Sequence, residues 1–273
     1  MIDTHVHFWN FDPVRDSWIN EDMQAIRKDF SPKNILRTFH DLKITGCIAV
    51  QANQTEQEND FLLSLAEHNE LIKGIVGWVN LRDDNISERL NYWSHFKKIK
   101  GWRHVLQAEQ SDFFLSASFI NGLKQLKNFG YTYDLLCYHD QLKDIIKMVE
   151  QVNEQPFILD HCGKPDLKSH NLTDWEKQIQ ILASNPNVHC KISGLLVEAD
   201  WKHWRETDVF KCFDVIFKHF GSQRVMYASD WPVVLLSRPY QDWFQLVKKY
   251  THGFTILEKQ QIFSDNAKLF YQI

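Results

Sequence analysis

The chain lacks any run of about eighteen apolar residues, so a membrane-spanning helix is not expected. It also lacks the basic segment followed by an apolar one that marks a secretory leader. With the first strand beginning at Ile2, no leader is expected before it, and the expected location is cytoplasmic. The five cysteines (Cys47, Cys137, Cys162, Cys190 and Cys212) are odd in number and scattered, without a Cys-x-x-Cys pair. Most fall in runs that read as strand, where a free thiol behaves as a small buried hydrophobe, and a reducing cytosol fits that usage. A net charge of −4 provides no clustered basic face, which excludes nucleic acid as an expected partner. There is no phosphate-binding P-loop, no Gly-x-Gly-x-x-Gly after the first strand and no Gly-x-Ser-x-Gly elbow. Ser193-Gly194-Leu195 lacks the strained turn of a nucleophilic serine. No low-complexity linker interrupts the chain.

What is present is a repeating pattern. Short β-rich runs alternate with longer segments of helical period, beginning at Ile2–Trp9 and ending at Arg224–Asp230 before a last pair of helices. Ser31-Pro32 starts the first helix, with Ser as N-cap and Pro in the first turn. Counting strand–helix units gives eight, which predicts an α/β fold: a single (β/α)8 TIM barrel domain spanning residues 1–273. An open doubly wound sheet is the structural alternative. Ten Trp and nineteen Phe suffice for the core and for a ring-lined pocket.

In such a barrel the chemistry lies at the C-terminal ends of the strands. In the first strand, residues two apart share a face. His5 and His7 therefore project together, with Asp3 below them and Ile2, Val6 and Phe8 opposite. Two imidazoles at that spacing can share one metal ion or one substrate oxygen. The other strand ends offer Gln51-Ala52-Asn53, Trp78, Arg103, His104 and Gln107, then Tyr138 and His139, then Asp160-His161-Cys162-Gly163-Lys164. The last two supply Lys191-Ile192-Ser193 and Ser229-Asp230-Trp231.

Asp230 follows an apolar strand. It reads either as the cap of the next helix or, beside His5, His7 and His161, as a carboxylate able to orient and deprotonate a water. His161 reads equally as a satisfied core histidine or a site residue. Asp160, its neighbour, is expected to face the other way. A guanidinium at a barrel mouth needs an anion or carbonyl, which marks Arg103. Trp9, Trp78 and Trp231 are placed either as platforms for a ring-shaped ligand or as packing residues.

Five segments in barrel order carry a resemblance. They are His5-Val6-His7, Gly101-Trp102-Arg103-His104-Val105-Leu106-Gln107, Leu159-Asp160-His161-Cys162-Gly163-Lys164-Pro165, Lys191-Ile192-Ser193-Gly194-Leu195 and Ser229-Asp230-Trp231-Pro232. With them the chain resembles the amidohydrolase superfamily. It is most similar to the branch of small TIM-barrel lactonases that includes L-fuconolactonase, L-rhamnonolactonase and pyrone dicarboxylate lactonase. The resemblance implies a hydrolase that opens the ring ester of a sugar-acid lactone, a small-molecule partner. It implies Asp230, His161 and Arg103 as catalytic residues, with His5, His7, Trp9, His104, Lys164 and Trp231 against the substrate. The superfamily's two-metal members carry a carboxylated lysine at the end of strand four. Here that strand ends in Trp102-Arg103-His104, and Lys100 precedes the glycine. The implied metal is therefore a single divalent ion, zinc, on His5, His7, His161 and Asp230, or none. Alternatives are a mononuclear zinc decarboxylase of the same branch and a non-catalytic carbohydrate-binding barrel. The sequence assigns no oligomeric state and no particular sugar.

Overall fold

A computed structural model describes residues 1–169 and 171–273. Eight parallel strands follow one another in the order β1 to β8. They are β1 Ile2–Val6, β2 Gly46–Val50, β3 Ile72–Gly77, β4 Ile99–His104, β5 Thr132–Leu135, β6 Phe157–Leu159, β7 Val188–Ile192 and β8 Val225–Tyr227. The seam between β8 and β1 is made just past the strand ends. The Asp230 amide donates to the His5 carbonyl at 3.0 Å, and the His7 amide donates to the Trp231 carbonyl at 2.7 Å. The expected (β/α)8 TIM barrel is the observed fold.

The helices between strands match the helical period of the sequence. They are α1 Pro32–Asp41, α2 Glu56–Glu67, α3 Ile86–Ser94, α4 Ala117–Leu126, α5 Leu142–Gln151, α6 Thr173–Ala183, α7 Glu206–Phe220 and α8 Tyr240–Tyr250. Helix α1 starts in a capping box between Ser31 and Asn34, which satisfies its first free amides. Two short helices, Ser111–Phe114 and Leu195–Glu198, were not anticipated. The long segment after β1 is closed at its base by a bridge between Trp9 and Phe30, and it holds a 3-10 helix, Glu21–Ile26. Among the described residues no helix is long and apolar enough to cross a membrane. All five cysteines are free and buried.

Apolar residues fill two regions. An outer shell lies between strands and helices, and an inner plug at the base of the barrel joins Ile2, Val50, Val76 and Met226 to Phe270 and Tyr271 of the last helix. Burial of this apolar surface is the main driving term for the fold.

One expectation about β1 fails, and the failure positions the site. Asp3 pairs with Cys47 and Val6 with Ala49, so β1 spends one more residue than β2 over the same length. This is a β-bulge, and it reverses the alternation of faces. Ile2, not Asp3, shares the inner face with His5 and His7. Asp3 turns outward, where Tyr240 of α8 donates to it at 2.8 Å.

Candidate active site

Above the apolar plug, each strand end brings a polar group to the axis. His5 and His7 come from β1 and the residues just after it, and their Nε2 atoms lie 3.1 Å apart. The Nδ1 of His7 is 2.8 Å from the Val50 carbonyl. A carbonyl only accepts, so His7 Nδ1 carries a proton, and Nε2 is the ring nitrogen turned toward His5 and the axis.

After β6 the chain turns left-handed at His161 (φ 54°), Cys162 (φ 55°), Gly163 (φ 68°) and Lys164 (φ 45°). The turn breaks the strand's alternation, and Asp160 and His161 both face the axis. Asp160 therefore joins the cluster that it was expected to leave. The turn packs against β7 through Gly194, where a Cβ would lie 2.6 Å from that of His161. Ser193 Oγ is 2.9 Å from His161 Nδ1, behind the ring, and leaves Nε2 toward the axis.

Asp230 follows β8 with a left-handed backbone (φ 60°), a conformation that aspartate tolerates better than most residues. The next long helix begins at Tyr240 with Pro239 as N-cap, so Asp230 does not cap it. Its Oδ1 lies 3.4 Å from His7 Nε2, 3.7 Å from His5 Nε2 and 3.9 Å from His161 Nε2. Burial would raise the Asp230 carboxyl, but His161 and His7 beside it outweigh that and hold it below its ordinary value. Burial pushes His161 and His5 well below the usual imidazole range. The arrangement sets a carboxylate held below its ordinary value beside two imidazoles, His5 and His161, that burial disfavours from charging.

Arg103, from β4, is almost fully buried. Its Nη1 donates to Asp160 Oδ2 at 3.2 Å and approaches His5 Nε2 at 3.2 Å, while Nη2 donates to the Gln51 carbonyl at 2.6 Å. Asp160 also pairs with Lys191 of β7 at 3.0 Å. Burial would raise Asp160, but Lys191 and His5 hold it well below the carboxylate range.

A cavity of about 380 Å³ opens onto this cluster, lined by His7, Arg103, His161, Lys164 and Asp230 among others. Trp18 and Gln107 also line it; neither was among the residues that the resemblance set against a substrate. Trp18 is partly exposed at its edge, packed against Trp9. Lys164 pairs with Glu198 at 2.9 Å and lies over the Tyr138 ring.

Four of the six expected substrate contacts do not line the cavity: His5 is fully buried beneath it, and the other three lie elsewhere. Trp9 is buried against Phe30, with its indole donating to the Lys28 carbonyl. Trp231 is buried between Phe8 and Phe30. His104 follows Arg103 on β4 and so points outward, stacking on Phe113 and pairing with Glu109 at 3.0 Å. None of the three lines the cavity. In each case the aromatic surface is used in packing: alternation after Arg103 turns His104 outward, and Trp9 and Trp231 are held against Phe30.

His5, His161 and Asp230 have donor atoms within 4.8 Å of one another, a buried set able to hold a metal ion. The two imidazole nitrogens and one carboxylate suit zinc. His7 Nε2 stands beside this set.

Residues 2–273 match the family model described as Amidohydrolase. The chain belongs to the amidohydrolase family. This amidohydrolase is 35% identical over 263 residues to L-fucono-1,5-lactonase from Burkholderia multivorans, across 92% of this chain and 88% of the relative. It is 26% identical to L-fucono-1,5-lactonase from Burkholderia ambifaria, across 100% of this chain and 95% of that one. The crystal structure of an amidohydrolase from Burkholderia multivorans with bound zinc superposes with a TM-score of 0.96 at 34% identity, covering 100% of this chain and 99% of the other.

Proposed function

We propose that this amidohydrolase opens the ring ester of a neutral sugar-acid lactone, with Asp230 activating the water. The observation that carries the reading is the Asp230 carboxylate, held below its ordinary value among three imidazoles at the floor of the cavity. Such a group takes a proton from water and, once protonated, returns it to a leaving alkoxide. Among the described residues no serine or cysteine lines that cavity, so water is the available nucleophile.

In this mechanism the lactone carbonyl sits over Asp230. Water loses a proton to the Asp230 carboxylate and attacks the carbonyl carbon. His161 and Arg103 stabilise the negative charge that develops on the carbonyl oxygen. The ring C–O bond then breaks, and Asp230 gives its proton to the alkoxide, leaving the open-chain acid. Ser193 keeps the His161 ring in place, and the Val50 carbonyl keeps that of His7. A zinc ion held by His5, His161 and Asp230 would supply Lewis-acid polarisation of the carbonyl.

The lining supports a hydroxylated, uncharged substrate. Asn53, Gln54 and Gln107 line the cavity, and both cations on its wall, Arg103 and Lys164, are already paired with carboxylates. The Gln107 Oε1 is buried without a hydrogen-bond partner among the described residues. The names of the two Burkholderia relatives point to six-membered aldonolactones. The test is acid release, read with a pH indicator, from fucono-, rhamnono-, galactono- and arabinonolactones. Turnover of at least one is expected. No release above background from any of them would overturn the reading.

A further inference from the structure

Directly beneath the proposed active site lies a second convergence of ligand-type groups. His5 from β1, Asp134 from β5 and Asp160 after β6 bring donor atoms within 4.8 Å of one another, all fully buried. This is the composition of a divalent cation site. Its centre is filled by the chain itself. Lys191 Nζ bonds to Asp134 Oδ2, lies 3.0 Å from Asp160 Oδ1 and 3.2 Å from His5 Nδ1, and faces the ring of Tyr271 at 5.8 Å.

We propose that the Lys191 ammonium is a built-in cation: it takes the place of a metal ion in this lower set and, from there, positions His5 and Asp160 beneath Asp230. Three observations support this. First, a fully buried lysine is costly unless its charge is matched, and here Lys191 and Arg103 stand against Asp134 and Asp160. Second, the two cations divide Asp160 between them, Lys191 3.0 Å from Oδ1 and Arg103 donating to Oδ2. Third, Asp160 Oδ1 lies 3.3 Å from His5 Nδ1, so the imidazole whose Nε2 faces Asp230 is backed electrostatically by a carboxylate that Lys191 neutralises. A divalent ion added within a few ångströms of that ammonium would meet strong repulsion at low dielectric. The lower set is therefore closed to metal while Lys191 is present. A fixed ammonium also cannot be lost to a chelator, so this half of the site keeps its geometry at any metal supply.

The test uses the full chain, purified with excess zinc, desalted and analysed for metal content beside the wild type. Lys191→Ala opens the lower set and is expected to carry one more divalent ion per chain than wild type. The double variant Lys191→Ala with Asp134→Asn removes one charge of each sign and one ligand. It is expected to fold by circular dichroism, to gain no ion, and to lose about ten- to a hundredfold in kcat with KM within about threefold, the range for lost outer-shell support. A folded Lys191→Ala with the wild-type metal count would overturn the proposal. If that variant does not fold, a double variant with kcat within about twofold of wild type overturns it. Failure of both to fold would also overturn it, leaving a purely structural ion pair. The kcat comparison rests on the lactonase reading. The metal count does not, so the two can fail separately.

Discussion

Tyr240 Oη donates to Asp3 Oδ2 at 2.8 Å, and this bond from α8 faces outward where the sequence pattern places Asp3 inward. The backbone amides of His5 and Ser229 donate to the other oxygen at 3.1 and 3.0 Å. Asp3 thus ties β1, the end of β8 and α8 together at the bulge that turns His5 and His7 to the axis.

Burial raises Asp3 to about 6, against the hydrogen bonds that favour its charged form. A carboxyl whose folded value is raised binds its proton more tightly in the native state. Its contribution to stability is present below the unfolded value and is lost as pH rises through about 6. Asp3→Asn should therefore raise Tm relative to wild type more at pH 7 than at about pH 4.5. Thermal melts at the two pH values check this. An equal or opposite difference would mean that the carboxylate is not the strained partner.

Asp230→Asn should nearly abolish turnover while leaving the fold intact. The amide is close in shape but cannot accept a proton at neutral pH, and loss of a general base costs about 10²- to 10⁴-fold in rate. A folded variant retaining more than about half of wild-type kcat would remove Asp230 from the mechanism.

The pH dependence follows from the same group. Asp230 is held below its ordinary 3.8, with His161 and His7 outweighing burial, and His161 is pushed by burial well below 6.5. The base therefore stays ionised and the imidazole neutral well into the acid range. In chelator-treated enzyme, kcat/KM should be flat from about pH 7.5 down to about pH 5, falling only at lower pH. An acid limb with an apparent pKa between about 6 and 7 would contradict this assignment.

Trp18 lines the cavity from the segment after β1, away from the Asp230 cluster, and 44% of it is exposed. Its ring is available to cover the apolar C–H face of a sugar ring. Trp18→Ala should raise KM about two- to tenfold and leave kcat within about twofold, the signature of lost uniform binding. A fall in kcat at unchanged KM would instead place Trp18 at the transition state.

Much of the site was legible in the order of residues. His5-Val6-His7, Arg103, His161 and Asp230 follow strand-like runs, and the barrel rule puts the ends of such runs at one mouth. Placing Lys191 was another matter. A lysine in a strand ordinarily reads as solvated, and only the carboxylates of β5 and β6 bring it into the core.

The sequence by itself determined the eight strand–helix units and the helix starts, as at Ser31-Pro32, because hydrophobic period and capping act within a few residues of chain. It also determined which chemical groups would reach the strand ends. Only the tertiary structure decided the face each group takes. The bulge in β1 exists relative to the register of β2, and the left-handed turn at His161 is held by its packing on Gly194. Trp9 and Trp231 were assigned to packing by Phe30, which is distant in sequence from both. Strand alternation is a local rule with a period of two, so one extra residue, fixed by a partner strand, inverts everything before it.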